Sequence, residues 1–365
     1  MNCRSRFQVS SGGVEACSKR LFDTIDIVTR IGAITPDRVF IRNHPISSPS
    51  AIFNPTMFLC DNDILKIYAR ATFGSSTYTS FIIELEIPID DLITGSFVEN
   101  KYVGNIVLYP DNRYDIWGVE DPRLTIIENK QYMTYIGRRV NYFNNIVKKY
   151  RTMPLTAIYD NENKTWIKKY VYSLNNIIAD EVICIKDSFL YNYVDNYYLF
   201  YRLHLIDDTY SLVYSSIDRE SMIDNETVLK QIVLNNIQCV LPIPGFEHKV
   251  GWSTQPLLIN ESRERFISIL YGVDQYSYTY RLFAVELSIE DREVYVEAIT
   301  PRYIMEPRPL YEIIGDKPFK IMACGIVRID RENLLLSYGA GDNIIAFGLI
   351  DYNELLSELD RGRIY

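Results

Sequence analysis

Nowhere does the sequence hold a run approaching the ~20 uninterrupted apolar residues that span a bilayer, so its pattern excludes a helical membrane anchor. The opening residues, Met1-Asn2-Cys3-Arg4-Ser5-Arg6, are partly basic but lead into no apolar core of a signal peptide. A cytoplasmic location is therefore expected. Basic residues are outnumbered, 38 Lys and Arg against 47 Asp and Glu, for a net charge of −9. That balance argues against a nucleic-acid groove, while leaving room for one basic pocket inside an acidic shell. Histidine is scarce: only His44, His204 and His248 occur, far apart. The six cysteines, at 3, 17, 60, 184, 239 and 324, contain no CxxC pair. Neither set has the spacing of a metal site, so no metal is expected, and buried free thiols are the plain reading.

Also absent is any alternation of helix and strand patterns. A hairpin-like unit recurs instead, with an apolar run, a polar turn and a second apolar run closing on tyrosine. It reads MFLCDNDILKIYAR, LTIIENKQYMTYIGR, FLYNYVDNYYLFYR, LLINESRERFISILYG and VRIDRENLLLSYGAG. The closing tyrosines, Tyr68, Tyr135, Tyr201, Tyr271 and Tyr338, are 67, 66, 70 and 67 residues apart. Short runs rich in β-branched and aromatic residues, joined by Asp-Asn or Glu-Asn turns, mark strands. A further strand follows in each unit, as in SFIIELEI, LTAIYD, YSLVYSS, YRLFAVEL and IIAFGLID.

Antiparallel units at a fixed period point to an all-β fold, a five-bladed β-propeller rather than a linear solenoid. Residues 1–365 are expected to form this single domain. Within it, residues 1–50 are an N-terminal extension that helps to close the ring, and 352–365 a C-terminal cap begun by the helical pattern DYNELLSELDR. Equivalent positions in a propeller converge on its axis, so the residues beside the tyrosines should share a cavity. They include Arg70, Arg138, Arg202, Gly272 and Gly339. Three arginines suit an anionic or polyhydroxylated ligand, or else pair with carboxylates to tie blades together; the repeat leaves both readings open.

The segment WGVEDPRLT, residues 117–125, sets Glu120 and Asp121 directly before Pro122. Proline is expected to fix an extended turn there, ahead of the strand LTIIE. A carboxylate on such a loop can act on a ligand in the channel mouth, and a salt-bridged turn is the competing reading. GVEDPRLT resembles the signature of glycoside hydrolase family 130, the inverting β-mannoside phosphorylases and mannosidases. FNPTMF (53–58), YAR (68–70), HKVGWSTQP (248–256), ILYGVDQYSYTYRLFAVEL (269–287), IMEPRPLYEIIG (304–315) and LSYGAGDNIIAFGLID (336–351) resemble it in order and spacing.

What the resemblance implies is a five-bladed propeller with Asp121 as catalytic acid. By the same likeness Arg70, Asp342, Asn54 and Glu120 hold the sugar, while Arg202, Lys249, Tyr271 and Lys186 hold phosphate. Two positions depart from the common pattern. Where many relatives read His-Arg-Pro and Tyr-His-Gly, this chain has Tyr201-Arg202-Leu203 and Leu270-Tyr271-Gly272. A tyrosine hydroxyl can still donate to a phosphate oxygen.

An inverting hydrolase needs an acid and a base that activates water, whereas phosphate is already an anionic nucleophile, so phosphorolysis needs only the acid. Retention of Arg202 and Lys249 therefore favours phosphorolysis of a mannose-containing oligosaccharide or glycoside to α-mannose 1-phosphate. Inorganic phosphate is then the co-substrate, and no organic cofactor is implied. Asp121 must stay protonated near neutral pH, through burial or through the neighbouring Glu120 carboxylate. The alternatives are an inverting β-mannosidase with Glu306 or Glu312 as base, and a non-catalytic sugar-binding propeller. Whether the chain forms a homo-oligomer stays open at this level.

Overall fold

A computed structural model describes residues 6–61, 63–74, 79–175, 177–222, 229–259 and 263–365. The fold is all-β, and each sequence unit becomes an antiparallel meander. In the first, Ala51–Leu59, Ile64–Thr72, Ser80–Pro88 and Tyr102–Leu108 pair in succession. The second runs through Val119–Ile127, Lys130–Arg138, Thr152–Asp160 and Thr165–Leu174. In the third, Val182–Tyr193, Asn196–Leu205, Tyr210–Asp218 and Gln238–Leu241 follow one another. Glu247–Trp252, Arg265–Asp274, Tyr280–Glu290 and Glu293–Ile299 form the fourth. The last comprises Ile321–Arg328, Asn333–Ala340 and Ile344–Asp351.

Turn chemistry explains the tight links. Glu128 and Asn129, between the first two strands of the second meander, have φ of 48° and 62°, the twist that suits a two-residue hairpin. The turn read in LLINESRERF falls on residues 260–262, outside the described residues. All five closing tyrosines lie on the second strand of their meander and are buried. Hydrogen bonding groups the strands into four sheets among the described residues. The second and third meanders share a nine-stranded sheet: Thr152 and Cys184 form a parallel pair between them, and the ninth strand, Lys230–Leu234 from the third unit, lies parallel to Thr165–Leu174 of the second.

Packing links each meander to the next. Tyr68 and Ile82 share an apolar cluster with Tyr135 and Leu155, and Tyr172 shares one with Leu190 and Leu199. Phe200 packs with Trp252 and Phe283, and Ile269 with Met322 and Leu336. The series returns to its start, because Leu335 and Phe347 pack with Ile67 and Leu85 of the first meander. The N-terminal segment reinforces that junction: Val28–Ile34 pairs with Ile344–Asp351, and Val39–Ile41 lies parallel to Tyr102–Leu108. The helix Tyr352–Arg361 follows where its pattern places it, capped by Asp351 accepting from the Glu354 amide. Among the described residues no helix is long and apolar enough to cross a membrane.

Two expectations change. Asp121 and Pro122 do not form a loop ahead of a strand; both lie within Val119–Ile127, where the register shifts between Glu120 and Arg123. This is a β-bulge, which keeps the strand running while releasing one residue from strict alternation. Nor are all the cysteines free thiols. Cys17, Cys60, Cys184 and Cys324 are free, but Cys239 is disulfide-bonded.

The junction of last and first meanders yields a direct test. Phe347 is fully buried and meets Phe97 edge-on, ring centroids 5.5 Å apart. Phe347→Ala should cost about 3–5 kcal/mol, read as a lower urea midpoint. An unchanged midpoint would mean that these two meanders do not share a core.

Candidate active site

The bulge at Asp121 is one of a series. First strands of other meanders shift register between Phe53 and Thr56, Lys186 and Phe189, and Ala323 and Gly325. Asn54, Asp121 and Asp187 occupy these breaks with φ of 51°, 52° and 54°. Asn and Asp tolerate this left-handed backbone better than other non-glycine residues. The result is three short polar side chains brought inward from three consecutive meanders, all buried.

Asp121 is 5% exposed, and its Oδ1 accepts from Asn54 Nδ2 at 2.7 Å and from Arg70 at 3.2 Å. Its backbone carbonyl accepts from Arg123 at 2.6 Å, and the same fully buried guanidinium reaches the carbonyls of Trp252 and Ser253. The EDPR and HKVGWSTQP segments are thereby fixed to each other. Gly339 explains why the Asn54 bulge fits: a Cβ there would stand 2.2 Å from Asn54 Oδ1 and 2.6 Å from its amide nitrogen.

Glu120, the neighbour of Asp121, is fully buried and is not a free carboxylate. Its oxygens accept from Arg138 at 2.6 Å, Arg70 at 3.1 Å, Lys186 at 2.9 Å and the Tyr142 hydroxyl at 2.8 Å. Burial alone would raise its pKa, but the charges of Arg138, Arg70 and Lys186 hold it well below the usual carboxylate range. So the negative neighbour expected to keep Asp121 protonated has its charge already countered. The pairing reading of the arginines holds: Arg70 and Arg138 share the Glu120 carboxylate, and Arg202 pairs with Asp187.

Asp342, expected to hold the sugar, sits in a left-handed turn with φ 52°. Its Oδ2 accepts from Lys320 at 2.7 Å and lies 3.0 Å from Lys317. Burial opposes the charged form, yet those two lysines hold Asp342 well below its ordinary value. Asp342 Oδ1, Asn54 Oδ1 and Arg70 Nε are buried without a hydrogen-bond partner among the described residues. Buried polar atoms are seldom left so. These three border one region, for Arg70 acts electrostatically on Asp342, and Asp121 on Lys320.

Of the residues expected to hold phosphate, Arg202 and Tyr271 meet at Asp187. Its Oδ2 accepts from Arg202 Nε at 2.5 Å and from the Tyr271 hydroxyl at 2.5 Å. Gly251 permits this approach, because a Cβ there would lie 2.4 Å from the Tyr271 hydroxyl and 2.5 Å from Asp187 Oδ2. Arg202 and Lys249 converge on Tyr210, with Cζ at 5.2 Å and Nζ at 5.9 Å from its ring centroid. Burial pulls the Lys249 pKa down, and the Arg202 charge adds to that. Lys186 faces Glu120 instead, and the Tyr201 hydroxyl shares a hydrogen bond with Ser215 at 3.0 Å.

The two candidate bases are engaged elsewhere. Glu312 is fully buried and accepts from Tyr338 at 2.7 Å and Arg30 at 3.2 Å. Glu306 accepts from Thr24 at 3.0 Å and Arg281 at 3.3 Å. Five residues escaped the sequence reading: Arg123, Tyr142, Asp187, Tyr280 and Lys320. For Asp187 a signal exists. Asn54, Asp121, Asp187 and Cys324 each stand 14 residues before their tyrosines, Tyr68, Tyr135, Tyr201 and Tyr338.

The model of glycoside hydrolase family 130, described as beta-1,4-mannooligosaccharide phosphorylase, matches residues 18–361. A beta-1,2-mannobiose phosphorylase of Thermoanaerobacter sp. is 26% identical over 330 residues, covering 85% of this chain and 96% of its own. Among solved structures, the beta-1,2-mannobiose phosphorylase of Listeria innocua, in complex with beta-1,2-mannobiose, superposes with a TM-score of 0.65. That match has 16% identity over 92% of this chain and 97% of the other. A mannose phosphorylase of Leishmania mexicana, in complex with phosphate ion, superposes with a TM-score of 0.57 at 14% identity over 88% of each chain. At these identities the two solved structures speak for the fold.

The Glu120 cluster predicts how stability varies with pH. A carboxyl whose folded-state pKa is depressed contributes stability above its unfolded value, about 4.3 for Glu, and loses it as pH falls below that. Asp187 and Asp342 shift in the same direction. Stability should therefore decline through the acid range. Glu120→Gln should flatten that decline and cost about 3–5 kcal/mol near neutral pH by leaving buried cations unpaired. Urea midpoints between about pH 3 and about pH 7 check this; identical acid slopes in both proteins would contradict it.

Proposed function

The chain belongs to glycoside hydrolase family 130, and from that premise we propose a β-mannoside phosphorylase that releases α-mannose 1-phosphate with inversion. The observation that carries this reading is the convergence of Arg202 and Lys249 on Tyr210, where the nearby carboxylate, Asp187, is already engaged by Arg202 and Tyr271. Lys249 makes no ion pair among the described residues, so its charge is available to an anion. Both alternative bases, Glu306 and Glu312, are committed to arginines.

In this mechanism a phosphate oxygen attacks the anomeric carbon while the bond from that carbon to the leaving oxygen breaks. The leaving oxygen takes the proton of Asp121, either directly or through a sugar hydroxyl. Arg70 and Asn54 both bind Oδ1, which leaves Oδ2 to carry the proton and stabilises the carboxylate that remains. Asp342, Asn54 and Arg70 hold the mannose through polar atoms that the protein itself leaves unpartnered. Arg202 and Lys249 neutralise and orient phosphate. A positive pocket within a chain of net charge −9 draws the anion inward.

The same reading takes residues 1–365 as one five-bladed propeller. Its support is the succession of five meanders and of apolar clusters that returns to its start. On this view the nine-stranded sheet is two blades that touch at Thr152 and Cys184 and are bridged by the strand Lys230–Leu234.

Two variants test the assignment. Asp121→Asn should lower turnover by about 10²–10⁴-fold and leave the urea midpoint near that of the parent; near-parental turnover would remove Asp121 from the role of acid. Arg202→Ala should raise the phosphate KM strongly and the mannoside KM little. Equal effects on both would point to a general collapse of the pocket.

A further inference from the structure

Tyr280 stands between the two halves of the site, and neither the family likeness nor the roles assigned above give it one. Its ring has Lys249 Nζ at 5.1 Å and Lys320 Nζ at 5.3 Å from the centroid, so two ammonium groups flank one phenol. Tyr271 packs against the same ring, centroids 5.2 Å apart, and the Tyr280 amide donates to the Phe319 carbonyl at 3.0 Å, next to Lys320 in sequence. Lys249 belongs to the anion side, while Lys320 holds Asp342 Oδ2 at 2.7 Å on the sugar side.

We propose that Tyr280 and Lys320 are positioning residues that couple the phosphate pocket to the sugar-holding carboxylate Asp342, so that phosphate and mannoside bind synergistically. The inference rests on the phosphorylase reading of the same site. Its physical basis is competition for cations. In the absence of an anion both lysines share the Tyr280 ring, while Lys320 also donates to Asp342. Burial would raise the phenol pKa, yet Lys320 and Lys249 together lower it. Phosphate drawn to Arg202 and Lys249 supplies a stronger acceptor for Lys249 and adds negative charge beside the phenol. Its charge met by phosphate, Lys249 repels Lys320 less across the ring, and Lys320 keeps its hold on Asp342 Oδ2. That fixes the carboxylate with Oδ2 engaged and Oδ1 facing the mannose. By linkage the effect is reciprocal, so bound mannoside must tighten phosphate by the same factor.

The test is calorimetric, on the Asp121→Asn protein so that no turnover intervenes. Mannobiose is titrated with and without inorganic phosphate, and phosphate with and without mannobiose. The expected result is a tightening of each ligand by the other, about 5-fold or more. In the same background Tyr280→Phe should bind both ligands with a factor near one, and Lys320→Gln should do likewise while also weakening mannobiose alone. If phosphate and mannobiose bind but tighten each other equally well in Tyr280→Phe and Lys320→Gln, the coupling role is wrong and the phosphorylase reading stands. If both bind independently in the Asp121→Asn parent, no coupling exists for these residues to carry. If phosphate does not bind the parent at all, the phosphorylase reading fails and takes this inference with it.

Discussion

A carboxylate fully withdrawn from water must be met by cations, and the buried charge of Glu120 imposes that demand at the heart of this protein. Its partners come from different parts of the chain: Arg70 from the first meander, Arg138 from the second and Lys186 from the third. Tyr142 closes the group, stacked under the Arg138 guanidinium at 3.4 Å from its ring centroid. Satisfying one charge therefore fixes the mutual placement of three meanders. Asp121, the next residue, is located by the same constraint, since Arg70 reaches both carboxyl groups.

Around that anchor the bulges convert a regular architecture into a chemical site. A strand in strict alternation would send every second side chain between sheets. One extra residue at Asn54, Asp121 and Asp187 instead turns a short polar group inward and holds it in a left-handed backbone. Such conformations carry a cost of order 1–3 kcal/mol each and persist where the surroundings over-determine them. Here the surroundings are explicit: Gly339 makes room for Asn54, Arg123 holds the Asp121 carbonyl, and Gly251 admits the Asp187 and Tyr271 contact. Charge is divided along the pocket. Paired cations surround Glu120 and Asp342, whereas Lys249 makes no ion pair among the described residues.

Much of this was legible in the sequence because β-structure writes its period into the residues. The tyrosine spacing, the hairpin turns among the described residues and the terminal helix reflect local pattern and appear where that pattern puts them. The resemblance to family 130 located Asp121, Arg70, Asn54, Asp342, Arg202 and Lys249 in one region. What could not be read was pairing at a distance. Glu120 looked like a modulator of its neighbour's proton because its three cations lie far off in sequence. The Asp121 bulge looked like a loop, since a one-residue register shift leaves almost no mark on composition. Asp187 lies in an unremarkable IKDSFLY run and is revealed only by its shared offset from the closing tyrosine. The disulfide at Cys239 had no spacing signature at all.

Whether the cationic side of the pocket delivers phosphate to the anomeric carbon is the point on which the functional account turns. The most direct measurement follows products by NMR while inorganic phosphate is titrated into enzyme and β-mannobiose. The account predicts α-mannose 1-phosphate and mannose in equal amounts, at a rate that rises with phosphate and saturates. Release of mannose alone, at a rate indifferent to phosphate, would contradict it and identify water as the nucleophile.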